Sequence, residues 1–358
     1  MSIDPALNEL PLRRYAPEST MVLPEHHPQR AVVPAVDVHN HLGRWHRGDW
    51  TVPSVPDLVR TMDECNVATI VNLDGCWGDE LEANLDRYDR AFPGRFLTFC
   101  RVDWSQCASS DDWGASFAAS LRDSAARGAG GLKLWKDVGL RVRDRAGELV
   151  LLDDPRVEPL WEALADTRTP VLVHTADPAA FFRPVDERNE RLEELLARPD
   201  WQFHGDEFPP LQRLLDALET VVADHRDVTF IGAHVGCYVE DLQWVHRMLD
   251  SYPNFNVDLA ARVGDLGRQP RAAARLLRQH PHRVLLGTDA FPPRAEDYRL
   301  YFRFLATDDE YFAYSDEDPP GDGRWRVYGL DLPDEVLRRV VGDNARDLIP
   351  RLTTGARP

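Results

Sequence analysis

The chain has 358 residues, 43% hydrophobic and 28% charged, the balance of a globular protein with a large core. Its net charge of −18 excludes nucleic-acid phosphates and anionic membranes as partners, because both demand basic clusters. Apolar runs stop at strand length, which excludes a membrane-spanning helix, and the N-terminus lacks the apolar stretch of a secretory signal, so a cytoplasmic location is expected.

Residues 1–30 read as an extension laid on the surface, and residues 31–358 as one domain. From residue 31, short apolar runs alternate with amphipathic segments, the pattern of βαβ units. Strands are predicted at 32–38, 68–73, 95–102, 131–135, 170–174, 228–234, 255–259 and 283–289. Helices are predicted at 55–65, 116–127, 155–166, 211–224, 239–249 and 270–279. Eight strand signals, none followed by Gly-x-Gly-x-x-Gly, favour an α/β fold of the (β/α)8 TIM-barrel type over an open dinucleotide-binding sheet.

Residues 176–210 and 290–333, after strands five and eight, read as long loops on the face where such barrels carry active sites. Residues 141–154 read as a surface hairpin around a polar turn. The five cysteines (Cys65, Cys76, Cys100, Cys107 and Cys237) show no paired spacing and are expected as reduced thiols.

The first strand runs into His39-Asn40-His41. Alternation along a strand has a period of two, so both imidazoles point to one side and can grip one divalent ion. His174, His234 and Asp289 likewise close apolar runs, and a barrel gathers its strand ends around one pocket. His280-Pro281-His282 has the same spacing but precedes a strand, which places it on the opposite, stability-bearing face. His46 and His204 lie on loops of the pocket face, within reach of a substrate.

Only two of the 42 basic residues are lysines, Lys133 and Lys136, both at the fourth strand. With Leu132 and Leu134 facing the helices, Lys133 turns inward, and Lys136 lies where the loop releases it from strand parity. Asp74, Arg101, Asp103 and Arg262 stand at strand ends as further groups that can read a substrate. Asp103 has a second reading, as the partner that orients a ligand histidine.

These features resemble the amidohydrolase superfamily, and more closely the branch that includes aminocarboxymuconate-semialdehyde decarboxylase. The resemblance spans about residues 31–350 and rests on His39-Asn40-His41, His174, Gly232-Ala233-His234, Gly287-Thr288-Asp289 and the closing Gly342-Asp343-Asn344-Ala345-Arg346. It implies that His39, His41, His174 and Asp289 hold one divalent metal, zinc before manganese, with His234 as acid/base or polarising group. It also implies a homodimer. Leu-Lys-Leu-Trp resembles the fourth strand of binuclear relatives, in which a carboxylated lysine bridges two metals; Lys133 is the matching residue, and one ion is the expectation.

Hydrolysis of a small substrate by metal-activated water, with His234, Asp289 and Lys133 as catalytic groups, is the leading expectation. Lys136, Arg262, Trp201 and Phe181 are the expected substrate contacts. The alternative is a metal-dependent decarboxylase or hydratase of an aromatic or unsaturated acid; a third reading is a non-catalytic metal-containing binding barrel.

Overall fold

A computed structural model describes residues 4–44, 48–317 and 319–354. Its parallel strands are β1 (Ala35–Asn40), β2 (Val67–Asn72), β3 (Phe96–Thr98), β4 (Leu132–Leu134), β5 (Val171–Val173), β6 (Phe230–Gly232), β7 (Phe255–Asp258) and β8 (Val284–Leu285). The ladders form two runs, β1 to β3 and β4 to β8, joined at both edges. At one seam Cys100 N donates to Gly131 O (2.8 Å) and Lys133 N to Cys100 O (2.8 Å). At the other, Val38 N donates to Leu286 O (2.9 Å) and Asp289 N to His39 O (2.8 Å). The circle is thereby closed into a TIM barrel, with every strand at its predicted place and most of them shorter than predicted.

The surrounding helices are α1 (Val55–Cys65), α2 (Gly78–Asn84), α3 (Trp113–Arg127), α4 (Glu158–Thr167), α5 (Leu211–Asp224), α6 (Leu242–Ser251), α7 (Pro270–Gln279) and α8 (Ala295–Ala306). Two of these depart from the sequence expectation. The turn after β2 is helical, and α8 occupies part of what reads as one long loop over 290–333. In α8 the buried residues Tyr298, Tyr301, Phe302 and Leu305 recur at helical spacing and give the helix its inner face. The 141–154 segment is a small hairpin with a single antiparallel bridge between Arg143 and Leu149.

Side chains sort into layers. Val36, Val71, Phe99, Leu172, Ile231 and Leu285 fill the barrel interior, and Ala345 and Ile349 of the C-terminal helices pack onto the same cluster. A much larger shell lies between strands and helices; Leu132 and Leu134 belong to it, so Lys133 between them is turned inward as parity requires. Leu140, Phe181, Leu195, Phe203 and Leu214 form a third cluster beneath the 176–210 excursion, giving that loop a core of its own. Residues 4–29 lie along the surface, tied where Arg324 donates to Tyr15 O and where Asp309 accepts from the His26 backbone. No helix among the described residues is long and apolar enough to cross a membrane. The five cysteines are free.

Candidate active site

The β1–β2 register shifts between Asp37 and Asn40. Val36 and Val38 belong to the barrel interior, yet His39 one residue later also reaches the strand-end site, the change of phase that a bulge produces. Two close approaches permit this. A Cβ on Gly287 would stand 2.9 Å from the His39 Cβ, and one on Gly43 only 2.4 Å from that of Asp74. Glycine at both positions lets the two histidines seat at full depth.

Each histidine of the pair is aimed by a buried carboxylate. Nδ1 of His39 donates to Asp258 (2.8 Å) and Nδ1 of His41 to Asp74 (2.8 Å). A carboxylate only accepts, so the proton sits on Nδ1 and each Nε2 presents its lone pair as an acceptor. Both Nε2 atoms face Asp289 Oδ1, at 3.7 Å for His39 and 3.4 Å for His41. His234 obeys the same logic: its Nδ1 donates to Ala260 O (2.8 Å), leaving Nε2 3.9 Å from Asp289 Oδ2. Three imidazole lone pairs therefore converge on one carboxylate.

Backbone geometry supports the convergence. Asp289 adopts φ 59°, and a left-handed turn runs through His234 (φ 55°), Val235 (φ 61°) and Cys237 (φ 62°). Such values are costly for a β-branched valine and persist only where the surroundings enforce them. Asp258 does part of this, accepting from the backbone of His234 (2.8 Å) and of Ala260 (3.1 Å) as well as from His39. Asp37 ties β1 to β8 by accepting from Thr288 N (3.0 Å) and Oγ1 (2.6 Å), which fixes the start of the Asp289 turn.

Burial sets the protonation states. It holds His39 and His234 well below the ordinary imidazole range and pushes His174 down to about 4. Neutral imidazole is the form that binds a metal. Burial also lifts Asp258 to about 6 and raises Asp289. The Lys133 amine is pushed down to about 8 by burial, only partly offset by Asp289 and Asp258, and its Nζ lies 3.2 Å from His39 Nε2.

Among the described residues, His39, His41 and Asp289 offer ligating atoms within 4.8 Å of one another, as a divalent ion requires. A second such grouping, of His39, His234 and Asp258, includes the carboxylate already engaged with His39 Nδ1. His174, the expected fourth ligand, stands beside them with its ring 4.4 Å from that of His234, but its Nε2 engages Asp177 at 3.2 Å. Asp177 is also the ion-pair partner of Lys136; burial alone would raise its carboxyl, yet that ammonium and His174 hold it well below the usual range.

A cavity of about 740 Å³ opens above this cluster. Lys136, Arg262, Trp201 and Phe181, the expected substrate contacts, all line it, together with Trp135 and Arg101. Three expectations are corrected. Asp74 does not face a substrate but holds His41. Asp103 neither reads substrate nor orients a histidine; it caps its own helical turn through Ser105. His204 is exposed and does not line the cavity, while His46 lies outside the described residues. The orienting role assigned to Asp103 belongs to Asp74 and Asp258, which reach their histidines across 33 and 219 residues of sequence.

The amidohydrolase family model matches residues 100–351. The chain belongs to the amidohydrolase family. The matched stretch carries His174, His234 and Asp289, and the His39–His41 pair precedes it. No curated protein gives a significant match. Among solved structures, this amidohydrolase is similar to 2,6-dihydroxybenzoate decarboxylase from Rhizobium (14% identity, 89% of this chain and 99% of that one, TM-score 0.55). It is also similar to 5-carboxyvanillate decarboxylase from Sphingomonas paucimobilis (12%, 89% and 99%, TM-score 0.53). A third is a dihydroxybenzoic acid decarboxylase from a Polaromonas species, determined with bound manganese (14%, 89% and 97%, TM-score 0.53). At these identities the likeness establishes the barrel. The family is divalent-metal dependent, and His39, His41 and Asp289, with Nδ1 of both histidines already engaged, fit such an ion.

Proposed function

We propose that this amidohydrolase is a metal-dependent, non-oxidative decarboxylase of an aromatic or unsaturated carboxylic acid. The observation that carries this is the seating of the His39–His41–Asp289 cluster beside an aromatic wall, where the Trp135 ring lies 4.8 Å from that of His41 and Phe291 6.2 Å. A planar acid can lie against that wall with its carboxylate over the cluster. The decarboxylase names of the structural neighbours support the same choice.

In this reading His39, His41, His174 and Asp289 hold one zinc or manganese ion, and Lys133 stays an uncarboxylated amine beside His39. Bound there, the ion supplies Lewis acidity and orients the substrate carboxylate with any neighbouring hydroxyl. Carbon dioxide leaves without the bonding electron pair, which stays on the substrate carbon and takes up a proton. His234 and Asp289 manage that proton: Nε2 of His234 is free to exchange it with Asp289 Oδ2, 3.9 Å away. Trp201, Phe181, Lys136 and Arg262 bound the space for the rest of the molecule and keep water from the reacting carbon.

The match to the amidohydrolase family model favours a second reading, hydrolysis of a small lactone or amide at the same site. The two part on products. Metal-loaded protein should release carbon dioxide from at least one member of a panel of hydroxybenzoates and muconate-like acids. His234→Ala should cut that rate about 10²- to 10⁴-fold. If no acid yields carbon dioxide while a lactone or amide is opened, the hydrolase reading replaces this one.

A further inference from the structure

The cavity wall carries four cationic side chains, Arg101, Lys136, Arg141 and Arg262, and they are not equivalent. Lys136 is ion-paired with Asp177, Arg141 with Asp137 (3.2 Å), and Arg262 lies 3.8 Å from Asp265. The surroundings of Arg262 are already rich in acid. Glu194, Asp265 and Asp322 gather there against Arg191, Arg262 and Arg268, so that acids and guanidiniums balance. A carboxylate arriving at that end would meet guanidiniums that already have acidic partners. Arg101 is different: among the described residues no ion pair joins it to a carboxylate, and its side chain meets the Cys76 thiol and the Trp135 ring.

Arg101 is nonetheless held in place. Its backbone N donates to Cys76 O (2.8 Å) at the end of β3, and its guanidinium carbon lies 5.3 Å from the Trp135 ring centre. Stacking on an aromatic face orients the planar fork while leaving its edge open for bidentate pairing. Trp135 is the same ring that lies 4.8 Å from His41. Arg101 and the metal-binding end therefore flank one indole, a separation that a single aromatic ring with two substituents can bridge.

We infer that Arg101 is a specificity-determining residue, and that the substrate bears a second anionic group, a carboxylate, on the side of the ring away from the reacting one. This names the substrate class within the decarboxylase reading and rests on it. A guanidinium held against an aromatic ring and without an ion-pair partner among the described residues gains a charge-assisted, bidentate pairing from a carboxylate that water does not supply. Arg262, the arginine singled out from sequence, is instead a wall residue whose charge the protein already balances.

The test is binding rather than turnover, so that it does not share the fate of the reaction assay. Isophthalate and benzoate are titrated calorimetrically into manganese-loaded protein, and the ratio of their affinities is the readout. The wild type should prefer isophthalate about 30-fold, the worth of one charge-assisted bidentate pair. Arg101→Gln should erase that preference, and Arg101→Lys should retain part of it. An equal affinity for both ligands in the wild type overturns the inference, as does an Arg101→Gln variant that weakens both by the same factor. Preference without any carbon dioxide release would remove the reaction and leave the subsite; release without preference would do the reverse.

Discussion

Two His-x-His pairs lie at opposite ends of the same barrel, and only one is built to bind a metal. His39 and His41 follow a strand, are buried, and have each Nδ1 fixed by an equally buried carboxylate. His280 and His282 precede a strand; His280 is half-buried against His246 (Nδ1 to Nε2, 3.0 Å), and His282 is exposed. The spacing is identical, so spacing carries little information by itself. What separates the pairs is the second layer: a proton fixed on one nitrogen, and a third ligand waiting at the other.

That comparison can be broken at several levels. The largest effect is expected from His39→Ala or His41→Ala, each of which should strip bound metal from about one equivalent to near zero. The His280→Ala and His282→Ala proteins should keep theirs, as measured by elemental analysis after purification without chelator. Next, Asp74→Asn and Asp258→Asn leave every ligand in place but remove the carboxylate that fixes the ring. Metal affinity in a competitive chelator titration should fall about 10- to 100-fold. Affinity unchanged in both variants would show that the carboxylates are structural only.

A third prediction concerns protons. His174 has its pKa pushed down to about 4 in the folded chain against an ordinary 6.5, so the unfolded chain binds its proton first as pH falls. Between these values the metal-free wild type loses stability on acidification from this group. His174→Asn should therefore gain on the wild type by up to about 3 kcal/mol between pH 6.5 and 4, measured by urea unfolding of the metal-free proteins. A stability difference that does not change with pH would contradict the burial assigned to that ring. The smallest effect belongs to His282→Ala, an exposed position that should shift stability by no more than about 0.5 kcal/mol.

Much of the site could be read from the sequence because a barrel obliges its ligands to stand where strands end. His39, His41, His234 and Asp289 were recognisable on that ground, and parity turned Lys133 inward. Their supports were not. Asp74 and Asp258 carry no local signature, since each meets its histidine only after the strands are arranged in the circle. Asp177 is similar: one aspartate at the head of a long loop does not announce that it will stand between His174 and Lys136. Helix α8 was legible in principle, for Tyr298, Tyr301, Phe302 and Leu305 keep the helical period. Phe291-Pro292-Pro293 before it and the Asp/Gly-rich stretch after it made the whole segment read as loop. The charge balance around Arg262 could not be read at all, because its acids come from three separate segments.

The central claim is that one ion sits where Nε2 of His39, Nε2 of His41 and Asp289 meet, with His174 beside it. Anomalous diffraction from crystals of manganese-loaded protein tests it most directly. The account predicts a single peak about 2.0–2.3 Å from Nε2 of His39, Nε2 of His41 and a carboxylate oxygen of Asp289, with His174 completing the set and His234 unligated. Two peaks bridged by a carboxylated Lys133, or one peak away from this cluster, would contradict it.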